Sequence, residues 1–354
     1  MADFTIALEQ LRGAIEVAEA DGATPTRIIS TGPPGNVDPS GLIKPETIED
    51  RRAAGTRTSL RATYSGIENN TLSLSNVPVS YQEIGWWLAS IAPTGGTAPA
   101  TVDTSAYERT FTPVEGATVN TYGTGYYSYN LEYSSADFAS TLTYKLPAMR
   151  PSNFSLRFDK RASGTDTGAM MDIELMMSQG TATQGTAFAG SLSVTTPTLV
   201  IGNQVAAYVD SSYGSIGGTA DDQITNATFN LVNPLTLHDG FDGVNGHTSG
   251  HLAQQWTPTL TISRRFSDKT ELTAYVNKTQ RAIRLQATGG VVGASTATNI
   301  LRVDFVGSPT DHRAQAQDGL WYAEIDYEGI YDATLGTSWE VYLRNATAAA
   351  YTAT

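Results

Sequence analysis

Apolar and polar residues alternate with a period of two along Thr71-Leu72-Ser73-Leu74-Ser75. The period then lengthens, with Ile84, Trp87, Leu88 and Ile91 at i, i+3, i+4 and i+7. The change predicts a strand that runs into a short amphipathic helix. Ser80 and Glu83 have the spacing of a capping box, in which each side chain accepts from a backbone N–H left unpaired at the helix start. The same succession returns further along the chain. Without a gap, Thr71–Ser75 lies over Thr259-Leu260-Thr261-Ile262-Ser263, Ser80 over Asp268, and Glu83 over Glu271. Ile84, Trp87, Leu88 and Ile91 then meet Leu272, Tyr275, Val276 and Thr279, which predicts core-facing stripes on both helices.

Later segments keep the same order. Phe154–Asp159 ends in SLRFD and Ile300–Asp304 reads ILRVD; each is followed by a Gly-containing loop and another strand, GAMMDIELMM at Gly168–Met177 and LWYAEIDYE at Leu320–Glu328. Asp172 and Glu174 lie over Glu324 and Asp326, so each of these strands has one apolar face and one face with two acids. The expectation is a mainly β chain of two tandem similar β-sandwich units, residues 1–185 and 186–354, each with one flanking α-helix. Thr, Gly and Ala dominate the boundary at 180–190. The second unit opens with strands at Leu199–Val209 and Ile224–Val232 and closes on Ser338–Leu343. The first unit is longer between helix and final strand, which implies an insertion near the Tyr-rich stretch.

Other segments carry weaker patterns. Ile6, Leu11, Ile15 and Ala18 are near helical spacing, so residues 4–20 read as a helix interrupted by Gly13. Ser30–Arg61 is polar and contains Pro33, Pro34, Pro39 and Pro45, which reads as a long contact arm. Ala92–Pro113 reads as a Pro, Gly and Thr linker. Tyr127, Tyr129, Leu131 and Tyr133 alternate with Ser128, Asn130 and Glu132, a half-buried strand by pattern.

At 354 residues the chain is long enough for two cores. With 16% charged and 40% hydrophobic residues it reads as folded rather than disordered. There is no cysteine, which removes disulfide and thiolate chemistry. A formal charge of −13 opposes nucleic-acid binding, because phosphate contacts need clustered Lys and Arg. No 18-residue apolar run suggests a membrane span, and no signal peptide is evident at the start of the sequence.

Two clusters could carry chemistry. His238, Asp239, Asp242, Asn245, His247 and His251 offer oxygen and nitrogen ligands to a metal, but Gly240, Gly243, Gly246 and Gly250 and the lack of EF-hand spacing favour a flexible loop. The acid pairs could serve a hydrolase that depends on Glu174, yet acids at i and i+2 of a strand are commonly just its wet face. No P-loop, G-x-S-x-G or G-x-G-x-x-G sequence is present. The reading is a chain without enzymatic activity, metal or cofactor.

The chain resembles the tail tube (major tail) proteins of long-tailed, siphovirus-type bacteriophages. The likeness covers most of the chain: a segment ending in GATPTRII, the long polar loop, the strand-to-helix unit, and a closing strand pair followed by a terminal strand. It implies a β-sandwich with one flanking helix per unit, here Ser80–Ile91 and Asp268–Gln280, and rings of six units stacked around a lumen. The polar loop would be the ring-stacking arm, with Pro34, Asp38, Ile43, Pro45 and Glu46 on it. Two units per chain imply a trimer with pseudo-sixfold symmetry; a hexamer of chains is the alternative if the repeat is chance. Asp172, Glu174, Glu324 and Asp326 facing the lumen would make an acidic conduit that keeps DNA from sticking during ejection. The implied partners are further copies of the chain and the tape measure, tail terminator and distal tail proteins. DNA would pass without specific binding and no membrane would be involved. The protein would be made in the host cytoplasm and reside in the virion. The rival is a monomeric β-sandwich, a carbohydrate-binding or adhesin-like virion module that uses the Tyr-rich stretch as a stacking surface.

Overall fold

Two strands of 17 and 20 residues organise the chain, because each pairs with different neighbours along its length. The structure is a computed structural model. It describes residues 10–351 apart from 17, 19–23, 30–36, 39–44, 51–61, 97, 115–120, 122–125, 135–142, 161–167, 186–196, 233–234, 240–246, 248, 253–255, 267–268 and 318. The first half contains β1 (Gln10–Ile15), β2 (Arg27–Ile29), β3 (Val37–Asp38), β4 (Pro45–Asp50), β5 (Ala62–Glu68), β6 (Thr71–Pro78), α1 (Ile84–Ile91), β7 (Ala100–Asp103), β8 (Ala106–Phe111), β9 (Tyr129–Ser134), β10 (Thr143–Asp159), β11 (Ala169–Met177) and β12 (Thr183–Gly185). The second contains β13 (Val205–Asp210), β14 (Ile224–Val232), β15 (Leu235–His238), β16 (Ser249–Leu252), β17 (Thr257–Arg265), α2 (Thr270–Asn277), β18 (Arg281–Val291), β19 (Thr298–Gln317), β20 (Leu320–Gly329) and β21 (Trp339–Asn345).

The C-terminal half of β10 joins β11 on one edge and β14 on the other, which produces an antiparallel run in the order β3, β6, β11, β10, β14, β17, β20, β19. Its apolar face holds Leu72, Leu74, Phe154, Leu156, Phe229, Leu260, Ile262 and Ile325, all at most 1% exposed. The N-terminal halves of the two long strands turn into the opposing layer. There β10 pairs with β9, which pairs with β1; β19 pairs with β18, which pairs with β13. The turn in β10 falls where its register shifts between Leu146 and Met149, and Ala148 there has φ 51. Buried Glu16 holds the turn, accepting from the Ala148 N–H at 3.2 Å and from the Ser128 hydroxyl.

The two halves share an order of pairing, β1-β9-β10-β11-β6-β3 and β13-β18-β19-β20-β17-β14. A hairpin precedes the helix-linked strand in each, β4–β5 before β6 and β15–β16 before β17. The overlaid residues also occupy equivalent registers. Leu72, Ser73 and Leu74 face Leu175, Glu174 and Ile173, while Leu260, Thr261 and Ile262 face Tyr327, Asp326 and Ile325. Pairings cross the expected 180–190 boundary: β10 with β14, β8 with β21, and a bridge between Ser80 and Leu199. The C-terminal segment also returns to α1. Tyr351, 2% exposed, donates from its hydroxyl to the Gln82 carbonyl at 3.0 Å, and Arg109 donates to the carbonyls of Thr347 and Ala349.

Several expectations change. Gln10–Ile15 is a strand, not part of a helix; both its faces are buried, so its apolar residues follow no period of two. The expected linker contains the hairpin β7–β8, and this is the insertion between α1 and β9 that has no counterpart between α2 and β18. β9 is buried on both faces rather than half-buried. SLRFD and ILRVD are not equivalent: Arg157 and Asp159 lie at the hairpin end of β10, whereas Arg302 and Asp304 lie in the first half of β19 against β18 and β21. The structural counterpart of Phe154, opposite Ile173, is His312, opposite Ile325.

Candidate assembly surface

Because successive side chains alternate in a strand, burying one face of the eight-stranded run leaves the other face to polar residues. Across the strands this face carries Ser73, Asp172 and Glu174, Ser155, Asn230, Thr261, Glu324 and Asp326, and Arg313. Both predicted acid pairs therefore lie on one side of one sheet, β11 third from the β3 end of the run and β20 next to the last strand at the other end. Glu174 is exposed; Asp172, Glu324 and Asp326 are half-buried.

Their partners differ. Asp172 accepts from the backbone N–H of Asn76 at 2.6 Å, where Asn76 takes φ 52 and shifts the register between β11 and β6. Asp326 accepts from the Thr261 hydroxyl at 2.7 Å and from Arg313 Nη2 at 2.6 Å; the same guanidinium lies 2.6 Å from Glu324 and 3.5 Å from Asp311. One cation thus serves three carboxylates on the second half. The position facing Asp172 on β10 is Ser155; the cation two residues on, Arg157, donates to the Asn76 side-chain carbonyl at 3.4 Å. The sequence pattern does not single out Arg313, although the alternation Arg313-Ala314-Gln315-Ala316-Gln317 is strand-like. These contacts do not arrange an acid and a base around a reaction centre.

The arm is only partly described. Asp38 is in β3, opposite Ser73, and Pro45 and Glu46 begin β4, which pairs with β5. Pro34 and Ile43 lie outside the described residues. Pro at the first position of a strand removes no ladder donor that the strand needs, which reconciles the proline-rich reading with a hairpin.

The helices differ from one another. All eight residues of α1 are buried, including Ile84, Trp87, Leu88 and Ile91, and Trp86 and Trp87 pack on Tyr129 with ring centroids 4.2 and 5.4 Å away. Ser80 Oγ accepts from the Glu83 N–H at 3.1 Å, one limb of the expected capping box. In α2 the expected stripe is overturned: Leu272 and Val276 are 36% and 69% exposed, Tyr275 is half-buried, and the buried residues are Glu271 and Ala274. The reason is Glu271, whose carboxylate accepts from the Tyr327 hydroxyl at 2.9 Å and lies 3.4 Å from Arg281, so the helix turns its polar residue inward. Asp268 lies outside the described residues.

Tyr127, Tyr129 and Tyr133 are 8%, 0% and 2% exposed, so these three rings are buried and do not present a face to a sugar. His247 is 4% exposed and lies between Asp239 at 2.6 Å and Asn69 at 3.1 Å. His238 and His251 belong to the paired strands β15 and β16, opposite Ser249 and Thr236, and Asp242 and Asn245 lie outside the described residues. Among the described residues no three His, Asp or Glu side chains gather as a metal site. No described helix is long and apolar enough to cross a membrane.

A search of curated proteins finds no match to the chain. Compared with known protein families, residues 9–329 match that of the phage tail tube proteins, nearly the whole chain including both halves of the eight-stranded run. The chain belongs to the phage tail tube protein family.

Proposed function

We propose that this tail tube protein forms rings that stack into a tube, with the polar face of the eight-stranded sheet lining a lumen through which DNA is ejected. The observation that carries the reading is that face: Asp172, Glu174, Glu324 and Asp326 lie on one side of a continuous sheet, opposite an apolar side that is buried from β6 to β20. A lining of carboxylates repels phosphate, and the Arg313 guanidinium on the same face is engaged by Glu324, Asp326 and Asp311, which outnumber it. The two halves act as tandem tube units, 1–185 and 186–354, on the strength of their shared strand order and register. Three chains then make a ring with pseudo-sixfold symmetry. The β4–β5 hairpin is the arm that reaches the next ring, its paired strands giving the intervening segment a stiff base.

Electron microscopy of the purified protein should show rings or tubes; featureless small particles at all concentrations would count against assembly. Changing Asp172, Glu174, Glu324 and Asp326 together to Lys should leave tubes intact and slow or trap DNA in ejection. Unchanged infectivity of such a phage would refute the lumen assignment.

A further inference from the structure

The two halves carry equivalent sheet corners, at Val79 with Ala169 and at Phe266 with Trp321. In each, the strand before the helix donates once more beyond its paired register: the Val79 N–H to the Ala169 carbonyl at 3.0 Å, and the Phe266 N–H to the Trp321 carbonyl at 2.8 Å. The corners differ in what lies on them. Val79 and Ala169 are 3% and 0% exposed, and residues 198–201, which lead into β13, cross them. Fully buried Val200 donates to the Val79 carbonyl at 3.0 Å and accepts from the Gly168 N–H at 2.9 Å. Leu199 bridges Ser80, and the Thr198 carbonyl accepts from the Tyr81 N–H at 3.1 Å. A Cβ on Gly168 would collide with the backbone of Ile201, so the crossing is a close one.

On the second corner, among the described residues, nothing takes the place of Val200. Phe266 and Trp321 are 40% and 61% exposed, Leu320 is 39% exposed, and Ala314 and Ala316 are exposed as well. Ala316 faces Trp321, and the His312 ring lies 6.2 Å from that of Phe266, so these side chains form one surface. Exposed aromatic surface of this kind marks a contact. Phe and Trp stand where the first corner has Val and Ala, so an occupant here meets side chains where Val200 meets backbone.

The cover on the first corner is the run-in to the following half, since Val200 stands ahead of β13, and β13 pairs with β18 as β1 pairs with β9. At the same distance ahead of β1 stand Asp3–Ile6, outside the described residues. In that stretch Phe4, Ile6 and Leu8 alternate with Thr5 and Ala7, a period of two that gives an extended segment one large apolar face. We infer that this stretch of a second copy of the chain lies on the Phe266 and Trp321 corner, as 198–201 lie on Val79 and Ala169 within the chain. The inference rests on the ring of tandem units proposed above. In that ring the half that follows the second one belongs to the next chain, and the occupant is that chain's run-in to β1.

The chain has no cysteine, so single thiols can be placed where they are needed. Thr5→Cys and Ala316→Cys leave Phe4, Ile6, Phe266 and Trp321 in place. Mixed, assembled and treated with a short bis-maleimide, these two single variants should give covalent dimers. Thr5→Cys mixed with Tyr331→Cys, exposed beyond the far end of β20, should not. Phe266→Ser with Trp321→Ser should leave the urea midpoint of unassembled protein unchanged and raise the concentration at which rings form by about tenfold or more, as loss of two aromatic anchors does. Rings at an unchanged concentration in that variant, or dimers equally frequent with Tyr331→Cys, would overturn the docking and leave the ring reading standing. A cross-link that forms only when both thiols are on one chain, and never between mixed chains, would overturn it as well. Absence of rings and tubes in the unmodified protein would overturn both.

Discussion

Arg313 and Arg284 each hold carboxylates, and their substitutions should separate a wet ion network from a dry one. Arg313 has a side chain 48% exposed and lies 2.6 Å from Glu324 and Asp326 and 3.5 Å from Asp311. Exposed pairs contribute about 0.2–1 kcal/mol each and share one guanidinium here, so Arg313→Ala should cost about 1 kcal/mol at low salt. Screening shortens to about 3 Å at 1 M salt, where most of that loss should vanish. Arg284 instead donates from Nε and Nη2 to Asp304 at 2.6 and 2.9 Å, and Asp304 is fully buried. Arg302 lies 3.1 Å from the same carboxylate and the Tyr213 hydroxyl 3.2 Å; burial, then Asp304 and Glu340, push that phenol up to about 12. Removing Arg284 deprives a buried charge of its bidentate partner, at a cost of about 3–5 kcal/mol that salt should scarcely change. Urea unfolding of unassembled protein at low salt and at high salt gives both quantities from the midpoint at an unchanged slope. Equal losses for the two variants, or a loss at Arg313 that is the same at both salts, would refute the assignment of the acidic face to water.

Two further outcomes follow from the packing and from the arm. Tyr129→Phe removes a hydroxyl that donates to the carbonyls of Trp86 and Trp87 at 2.8 and 3.1 Å in a fully buried site; the expected loss is about 1–3 kcal/mol in urea unfolding, with the circular dichroism of the folded protein unchanged. Joining Glu49 to Thr63, which face one another in β4 and β5, through a Gly-Gly turn should leave rings in sedimentation but no long tubes; tubes of ordinary length would remove the arm from stacking.

What the sequence disclosed depended on how many faces of a strand are buried. β6, β11, β17 and β20 each bury one face in the core, so their alternation was readable and the overlaid registers recur in the sheet. β1 is buried on both faces; Leu11, Ala14 and Ile15 then occur at spacings that also suit a helix, and Gly13 is there because a Cβ would come within 2.8 Å of the Trp86 ring. In α2 a short helix with one buried carboxylate imitates the pattern of a capped amphipathic helix: Glu271 aligned with Glu83, yet it serves Tyr327 and Arg281 in the interior. The match of SLRFD to ILRVD misled because β10 and β19 are long enough to hold similar pentapeptides in different halves. The acids were visible by themselves, but Arg313 acquired its meaning only when the β19–β20 hairpin placed it opposite Glu324.

In the proposed ring, joining two units in one chain changes the energetics of closure. The β10–β14 junction forms within a chain, with seven facing pairs from Asn153–Val232 to Asp159–Asn226, and its formation costs no loss of translational freedom. Only alternate contacts between units then depend on protein concentration. Ring closure favours the last chain further, because it gains two such contacts for a single loss of freedom.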